Sequence, residues 1–310
     1  MPIQRLPSRT AAMMAMMRTA HLHVDDPPAL FRDTLAMGLS GNDDVAALLT
    51  SYRALEARFT AENGAEQAAR SMAALRMLSV WRARRAEARL VACADAGIDQ
   101  CVILGAGLDS TAYRRHEDLP GMRFYEVDHP ASQAWKRARL TAMGVVPPQS
   151  LAFVAVDFER DDLHIALARA GADLARPVVV NWLGVSYYLS QSAIATTLRA
   201  FADLAPGSEM VMDYILPPRD LTPDAAARLA ALHRLTRESD EPLISAFEPE
   251  DFAALVAGMG LDLVCDEGPE GRDGLLEGRC DGLAILRGQR RSTHVATLAV
   301  PRGPANVSVS

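Results

Sequence analysis

Gln100-Cys-Val-Ile-Leu-Gly-Ala-Gly-Leu-Asp109 is the stretch that decides the fold. An apolar run breaks at glycines 105 and 107, as a buried strand does when it bends through a Gly-rich turn into a helix. A second run, Met122 to Val127, ends in Asp128, 23 residues after Gly105. Glycine lets the backbone approach a ligand without a Cβ in the way. An acid at the tip of the next strand is where nucleotide-binding α/β folds receive ribose hydroxyls. The stretch therefore predicts a nucleoside site.

What the turn lacks narrows the nucleoside. A dinucleotide fingerprint carries Gly or Ala at its sixth position so that a helix N-terminus can close on pyrophosphate, whereas this chain has Ser110 there, preceded by Asp109. An acid at the helix mouth repels phosphate and suits a cationic ligand such as the sulfonium of S-adenosylmethionine (SAM), which holds adenosine and no phosphate. A GxG turn alone also serves as a tight bend with no ligand. The spacing to Asp128 argues against that alternative.

Composition excludes further classes. The chain has 310 residues and a net charge of −7, with no basic face beyond Arg82-Ala-Arg84-Arg85, so a nucleic-acid partner has little electrostatic support. Lys136 is the single lysine against 31 arginines. There is thus no GK[ST] phosphate loop, and a pyridoxal Schiff base would need a lysine that reads as part of the polar face of a surface helix. Cys93, Cys101, Cys265 and Cys280 lack metal spacing and read as reduced thiols. His21-x-His23 is a two-ligand pair with no third partner, and no metal is expected. No apolar run reaches 18 residues, which argues against a transmembrane span. Met13 to Met17 is interrupted too early, by Arg18 and His21, for a signal peptide. The expected location is the cytoplasm.

Along the chain, residues 1–89 read as a helical N-terminal cap behind a loose arm at 1–10, with breaks at Asp25–Pro28, Gly38–Asp44 and Asn63-Gly64. Residues 90–300 alternate strands (100–104, 122–127, 152–156, 178–183, 209–215, 261–266, 293–299) with helices at 109–115, 130–143, 161–170, 190–204 and 249–259. That pattern predicts a doubly wound, mostly parallel seven-stranded sheet covered on both faces. The last two strands, joined by a loop from 268 to 291 without helical period, are expected to pair antiparallel at an edge. An insertion at 216–248 carries a helix at 222–238 suited to cover a site, and 301–310 reads as a disordered tail.

Ligands bind such sheets at the carboxyl ends of the strands, which points to Gly105–Asp109, Glu126–His129, Asp157-Phe158, Leu183–Tyr188 and Asp213-Tyr214. Asp157 followed by an aromatic suits adenine, whose exocyclic amine donates to a carboxylate. Capping the helix near Asp161 is the alternative. Arg82 and Arg84 lie on a helix that runs into the first strand, where a guanidinium fork can hold a carboxylate; a solvated face is the alternative. Tyr187, Tyr188 and Tyr214 lie past strand ends and are candidates to line an acceptor pocket. Arg279, close to Asp281, could hold an anionic substrate or make an ordinary surface salt bridge.

Gln100-Cys-Val-Ile-Leu-Gly-Ala-Gly-Leu-Asp-Ser-Thr-Ala-Tyr-Arg114, Phe124-Tyr-Glu-Val-Asp-His-Pro130, Val156-Asp-Phe158 and Trp182-Leu-Gly-Val-Ser-Tyr-Tyr-Leu189 together resemble the leucine carboxyl methyltransferase superfamily, in particular its bacterial, actinomycete-type branch of SAM-dependent methyltransferases. The likeness extends to His21–Pro28, Arg82–Arg84, Phe247–Leu255 and Gly278–Leu283. It implies a class I methyltransferase-like (Rossmann-like) fold. It further implies that Gly105, Ala106 and Gly107 line the methionine part of SAM, that Asp128 takes the ribose, and that Asp157 with Phe158 takes the adenine. Arg82 or Arg84 matches the arginine for the cofactor carboxylate. His129 and Leu183 fall within the same motifs and join the expected cofactor set. The eukaryotic phosphatase-modifying members carry a glutamate where this chain has Leu183, which favours the bacterial branch.

Methyl transfer from a sulfonium is an in-line displacement, so the protein must mainly align the reacting atoms and exclude water. No residue stands out as an obligatory base, which leans toward a carboxylate acceptor on a small molecule or peptide end. A hydroxyl-directed enzyme on a polyketide-like substrate is the nearest alternative. A nicotinamide-dependent oxidoreductase and a non-catalytic SAM-binding protein are the readings from other classes.

Overall fold

In the computed structural model, residues 8–158, 160–219, 223–239, 241–287 and 293–302 are described. The first four helices are α1 (Arg9–Val24), α2 (Ala36–Leu39), α3 (Val45–Asn63) and α4 (Ala65–Asp95). Ser8 caps α1 by accepting the Ala11 N–H, and Asp44 caps α3 through Ala47. Gly64, at φ +82°, closes α3 on the Thr60 carbonyl and leads into α4. The arm expected at 1–10 is therefore helical from Arg9, and residues 1–7 lie outside the described residues, as do 303–310 of the expected tail.

The alternating part runs β1 (Gln100–Leu104), α5 (Thr111–Arg115), β2 (Arg123–Asp128), α6 (Pro130–Ala142), β3 (Leu151–Ala155), α7 (Leu163–Arg169), β4 (Val179–Trp182), a 3₁₀ turn (Ser186–Tyr188), α8 (Gln191–Ala202), β5 (Glu209–Ile215), α9 (Pro223–Glu238), α10 (Pro249–Gly258), β6 (Asp262–Glu267), α11 (Pro269–Leu276), a second 3₁₀ turn (Ala284–Leu286) and β7 (Thr293–Ala299). The seven strands form one sheet in the order β3-β2-β1-β4-β5-β7-β6. The first five are parallel, and β7 pairs antiparallel with both β5 and β6. The order reverses between β1 and β4, which opens the crevice in which such sheets bind ligands.

One face packs Val102, Val180 and Trp182 against Leu167, Leu198 and Phe252 from α7, α8 and α10. The other packs Cys101, Ile103 and Val179 against Leu90 of α4, Tyr113 of α5 and Leu140 of α6. The 31-residue α4 spans two environments. Ala68 and Met72 join Met17 and Leu48 in the helical layer, while Val80 and Trp81 join Val211 and Val295 on the sheet. Among the described residues, no helix is long and apolar enough to cross a membrane.

Two expectations need correction. The segment from 268 to 291 contains α11, with Pro269 at its start and Glu270 in its first turn; Gly271 and Gly274 had broken the apolar period there. Lys136 is not on a polar face. It is 1% exposed and bonds Glu126 at 2.7 Å, because Gln133, Lys136 and Leu140 form the stripe of α6 turned to the sheet.

Candidate functional site

Gly105 and Gly107 stand at φ +62° and +41°, a region that side chains other than glycine rarely adopt. A Cβ on Gly105 would collide with Val185 from the turn after β4, whereas one on Gly107 would meet only ordinary contacts, Ala11 among them at 3.7 Å. Asp128 ties this turn to β2. Its Oδ2 accepts from Gly107 N–H at 2.6 Å and its Oδ1 from His129 N–H at 2.7 Å. Burial raises the Asp128 pKa above the ordinary carboxylate value, against the pull of these two donors. Each oxygen keeps a further lone pair, so the carboxylate can still accept two hydroxyls. His129 accepts from Ala131 N–H through Nδ1 and caps α6.

Asp157 and Phe158, both half-buried, follow β3, and Phe158 packs on the apolar core. Asp157 does not cap the next helix; Asp162 does, through Ile165 N–H at 2.9 Å. The backbone N–H of Asp157 donates to Asp161 at 2.8 Å, and its carboxylate lies 3.8 Å from Arg160.

Arg82 reaches the same strand ends from α4. Its Nη1 donates to the Tyr187 hydroxyl at 2.8 Å and to Asp213 Oδ2 at 2.9 Å. Asp213 is fully buried, and its Oδ1 accepts from Gly184 N–H at 2.7 Å, so one carboxylate joins α4 to the turn after β4. The Ser186 hydroxyl bonds the Asp213 carbonyl at 2.6 Å. Burial opposes the charge on Arg82, but Tyr187 and Asp213 outweigh it and raise the pKa further. Among the described residues no acceptor meets Nη2 or Nε, although the residue is only 8% exposed. A Cβ on Gly184 would stand 3.0 Å from Nη2, so glycine there keeps that edge of the guanidinium clear.

Tyr187 is buried and meets Tyr188 edge-on at 4.8 Å. Burial pushes the Tyr187 phenol well above its ordinary pKa and that of Tyr188 up to about 12. Near Tyr188, the Thr10 hydroxyl donates to Glu241 at 2.5 Å. Helix α1 thus lies over the strand ends. Its Ala11 lies 3.7 Å from where a Cβ on Gly107 would stand, and its Arg18 donates to the Leu108 carbonyl at 2.9 Å.

Other candidates do not join this group. Arg84 is exposed and donates to the Leu30 carbonyl at 2.8 Å. Tyr214 points to the opposite face of β5, where it stacks on Phe252 at 4.3 Å and donates to Asp266 at 2.6 Å; His294 bonds the same carboxylate at 3.0 Å. Arg279 is buried rather than at the surface. It pairs with Asp281 and donates to the carbonyls of Asp26 and Pro28, fastening the loop after α1. Leu183 packs beside the cluster that includes Trp81 and Val211. His21 uses Nδ1 on Asp25 and Nε2 on Leu30 N–H, so its nitrogens are spent within the protein.

Sequence reasoning assigned no role to Asp213, Gly184, Thr10 or Glu241. Position at the end of a strand was the only signal for Asp213, and none marked Thr10 or Glu241, which meet across 231 residues.

The chain is 31% identical over 166 residues to YktD of Bacillus subtilis, and 38% identical over 175 residues to a protein of Mycobacterium avium. Both are provisionally named S-adenosyl-L-methionine-dependent methyltransferases. The matches cover 53% and 54% of this chain and 54% and 55% of the relatives, so they span about half the length of each protein. Two solved structures share the fold. A DUF574 family protein from Streptomyces avermitilis gives a TM-score of 0.55 at 17% identity, covering 85% of this chain and 94% of that one. A candidate methyltransferase from Thermobifida fusca gives 0.52 at 21%, covering 86% and 93%. The family model of the leucine carboxyl methyltransferases matches residues 11–202, which include β1, β2, β3, β4 and Arg82. With well over half of its length matched, the chain belongs to the leucine carboxyl methyltransferase family.

Proposed function

We propose that this chain is a SAM-dependent O-methyltransferase that methylates a carboxylate of a small molecule or peptide end, in the cytoplasm and in secondary metabolism. The observation that carries the reading is the Arg82 guanidinium, held by Nη1 and meeting no acceptor among the described residues along its Nη2–Nε edge, beside the strand ends that bear the Gly105–Gly107 turn and Asp128. A ligand carboxylate would meet that edge with a bidentate fork.

Arg82 would hold the amino-acid carboxylate of SAM, the Gly105-Ala106-Gly107 backbone its methionine part, Asp128 the ribose, and Asp157 with Phe158 the adenine. When bound, SAM supplies a methyl already activated on a sulfonium. The chain's own work is then alignment and exclusion of water, to which α1 contributes by covering the turn at Gly107. Tyr187 and Tyr188, with raised pKa values, stay protonated at neutral pH and can donate to an acceptor oxygen but not serve as bases. A carboxylate acceptor, ionised without help, suits such a site.

A hydroxyl acceptor is the second reading, favoured by one observation: buried Arg76, Lys136 and Arg279 and half-buried Arg114 each already face a carboxylate, so none of these four is held ready for an anionic acceptor. An acceptor screen with methyl-labelled SAM separates the two. A methyl ester releases labelled methanol in mild alkali. An alkali-stable product would overturn the carboxylate reading, and calorimetric binding of NAD without SAM would overturn the cofactor.

A further inference from the structure

Arg82 is a long side chain whose head must stand at one place to receive a carboxylate, and α4 alone does not fix it there. Its neighbours do. Both fixed contacts fall on a single nitrogen, Nη1, which donates to Asp213 at 2.9 Å and to Tyr187 at 2.8 Å. A planar guanidinium held by one corner presents its remaining edge in a set direction.

Asp213 is well suited to set that direction. It sits within β5, which is hydrogen-bonded to β4 on one side and β7 on the other, so its own position is rigid. Its second oxygen holds Gly184 N–H. The same carboxylate therefore places both the guanidinium and the glycine whose missing side chain leaves room beside Nη2. Asp213 lies beyond the segment matched by the family model.

We propose that Asp213, assisted by Tyr187, is a positioning residue: it holds Arg82 by Nη1 so that the Nη2–Nε edge faces the amino-acid carboxylate of an adenosyl ligand. The proposal rests on the cofactor reading above. It makes a selective demand, because an adenosyl ligand without that carboxylate does not use Arg82 and should not sense the loss of Asp213.

The test measures S-adenosylhomocysteine and 5′-methylthioadenosine by calorimetry on the full chain; the second ligand keeps adenine, ribose and sulfur and lacks the amino acid. In Asp213→Asn, which is isosteric but uncharged, affinity for S-adenosylhomocysteine should fall about tenfold or more while that for methylthioadenosine stays within about twofold. Tyr187→Phe, which keeps the ring and removes one contact to Nη1, should show the same selectivity at about two- to fivefold, and it carries the test if Asp213→Asn does not fold. Equal losses for both ligands, or no loss for either, would overturn the proposal. Parent chain and Arg82→Gln separate this from the cofactor reading. A parent that binds neither ligand refutes the cofactor. If Arg82→Gln leaves the ratio of the two affinities unchanged, Arg82 is not the carboxylate holder and the proposal falls with it. If Arg82→Gln shifts the ratio and neither Asp213→Asn nor Tyr187→Phe does, the positioning role alone is wrong.

Discussion

Asp213 and Tyr214 are neighbours on β5, and strand alternation sends them to opposite faces. Asp213 meets Arg82 in a group that is charged, buried and incomplete, with part of the guanidinium undonated. Tyr214 meets Asp266 and His294 in a group in which donor and acceptor are matched, sealed by the Phe252 ring. Both are polar clusters among core residues at the same end of the sheet. The difference teaches that titratable groups close together do not mark a site by themselves. What sets the Arg82 group apart is a guanidinium edge that meets no acceptor among the described residues.

The comparison breaks most visibly at Arg82. In Arg82→Met the buried Asp213 loses its cationic partner and keeps only Gly184 N–H, which should cost about 3–5 kcal/mol of stability in denaturant titration and about 100-fold or more in SAM affinity. Arg84→Ala, two residues away on the exposed face, should stay within about 0.5 kcal/mol and bind normally. Equal behaviour of the two variants would erase the distinction between the faces of α4.

The Glu126–Lys136 pair is a second closed group, on β2 near Asp128, and should register in stability rather than in binding. Burial, with Lys136 opposing, pushes the Glu126 carboxyl up to about 7 from 4.5. The folded state then holds this proton more tightly than the unfolded chain. The stabilisation is complete below about pH 4.5 and is lost as pH rises to about 7, a swing of at most about 3 kcal/mol. Denaturant titrations across that window should show a flatter pH dependence in Glu126→Gln than in the parent; identical slopes would contradict the shift.

Asp128→Ala should weaken SAM by about 1.5–3 kcal/mol in calorimetry, the scale of hydrogen bonds to a charged group. It also releases Gly107 and His129 N–H, so a modest fall in melting temperature is expected. A melting change with unaltered affinity would move Asp128 into the closed class. The smallest effect belongs to Tyr214→Phe, which removes the hydroxyl that bonds Asp266 and His294 and should cost about 1–2 kcal/mol of stability while leaving SAM affinity unchanged. A change in affinity would show that the Tyr214 face communicates with the site.

Much of this was legible in the chain because it is local. The turn between β1 and α5 and the acid ending β2 depend on residues within one βαβ unit, and all seven strand expectations lie within one residue of the observed ends. Helix α11 escaped because glycines interrupt its period. Lys136 was misplaced because a lone lysine in a helical pattern reads as polar until Glu126 is known to lie beneath it.

The amino-acid sequence by itself determined the order of the strands, the Gly105–Gly107 turn and the acids at strand ends, since these follow from backbone conformation and short-range patterning. Only the tertiary structure placed Arg82 among the strand ends and Arg84 on the exposed face, separated Asp213 from Tyr214 and brought Thr10 to Glu241. The physical reason is that helix periodicity shows which residues share a face but not what that face meets. Contacts across 105 to 231 residues arise only when α1 and α4 dock on the sheet.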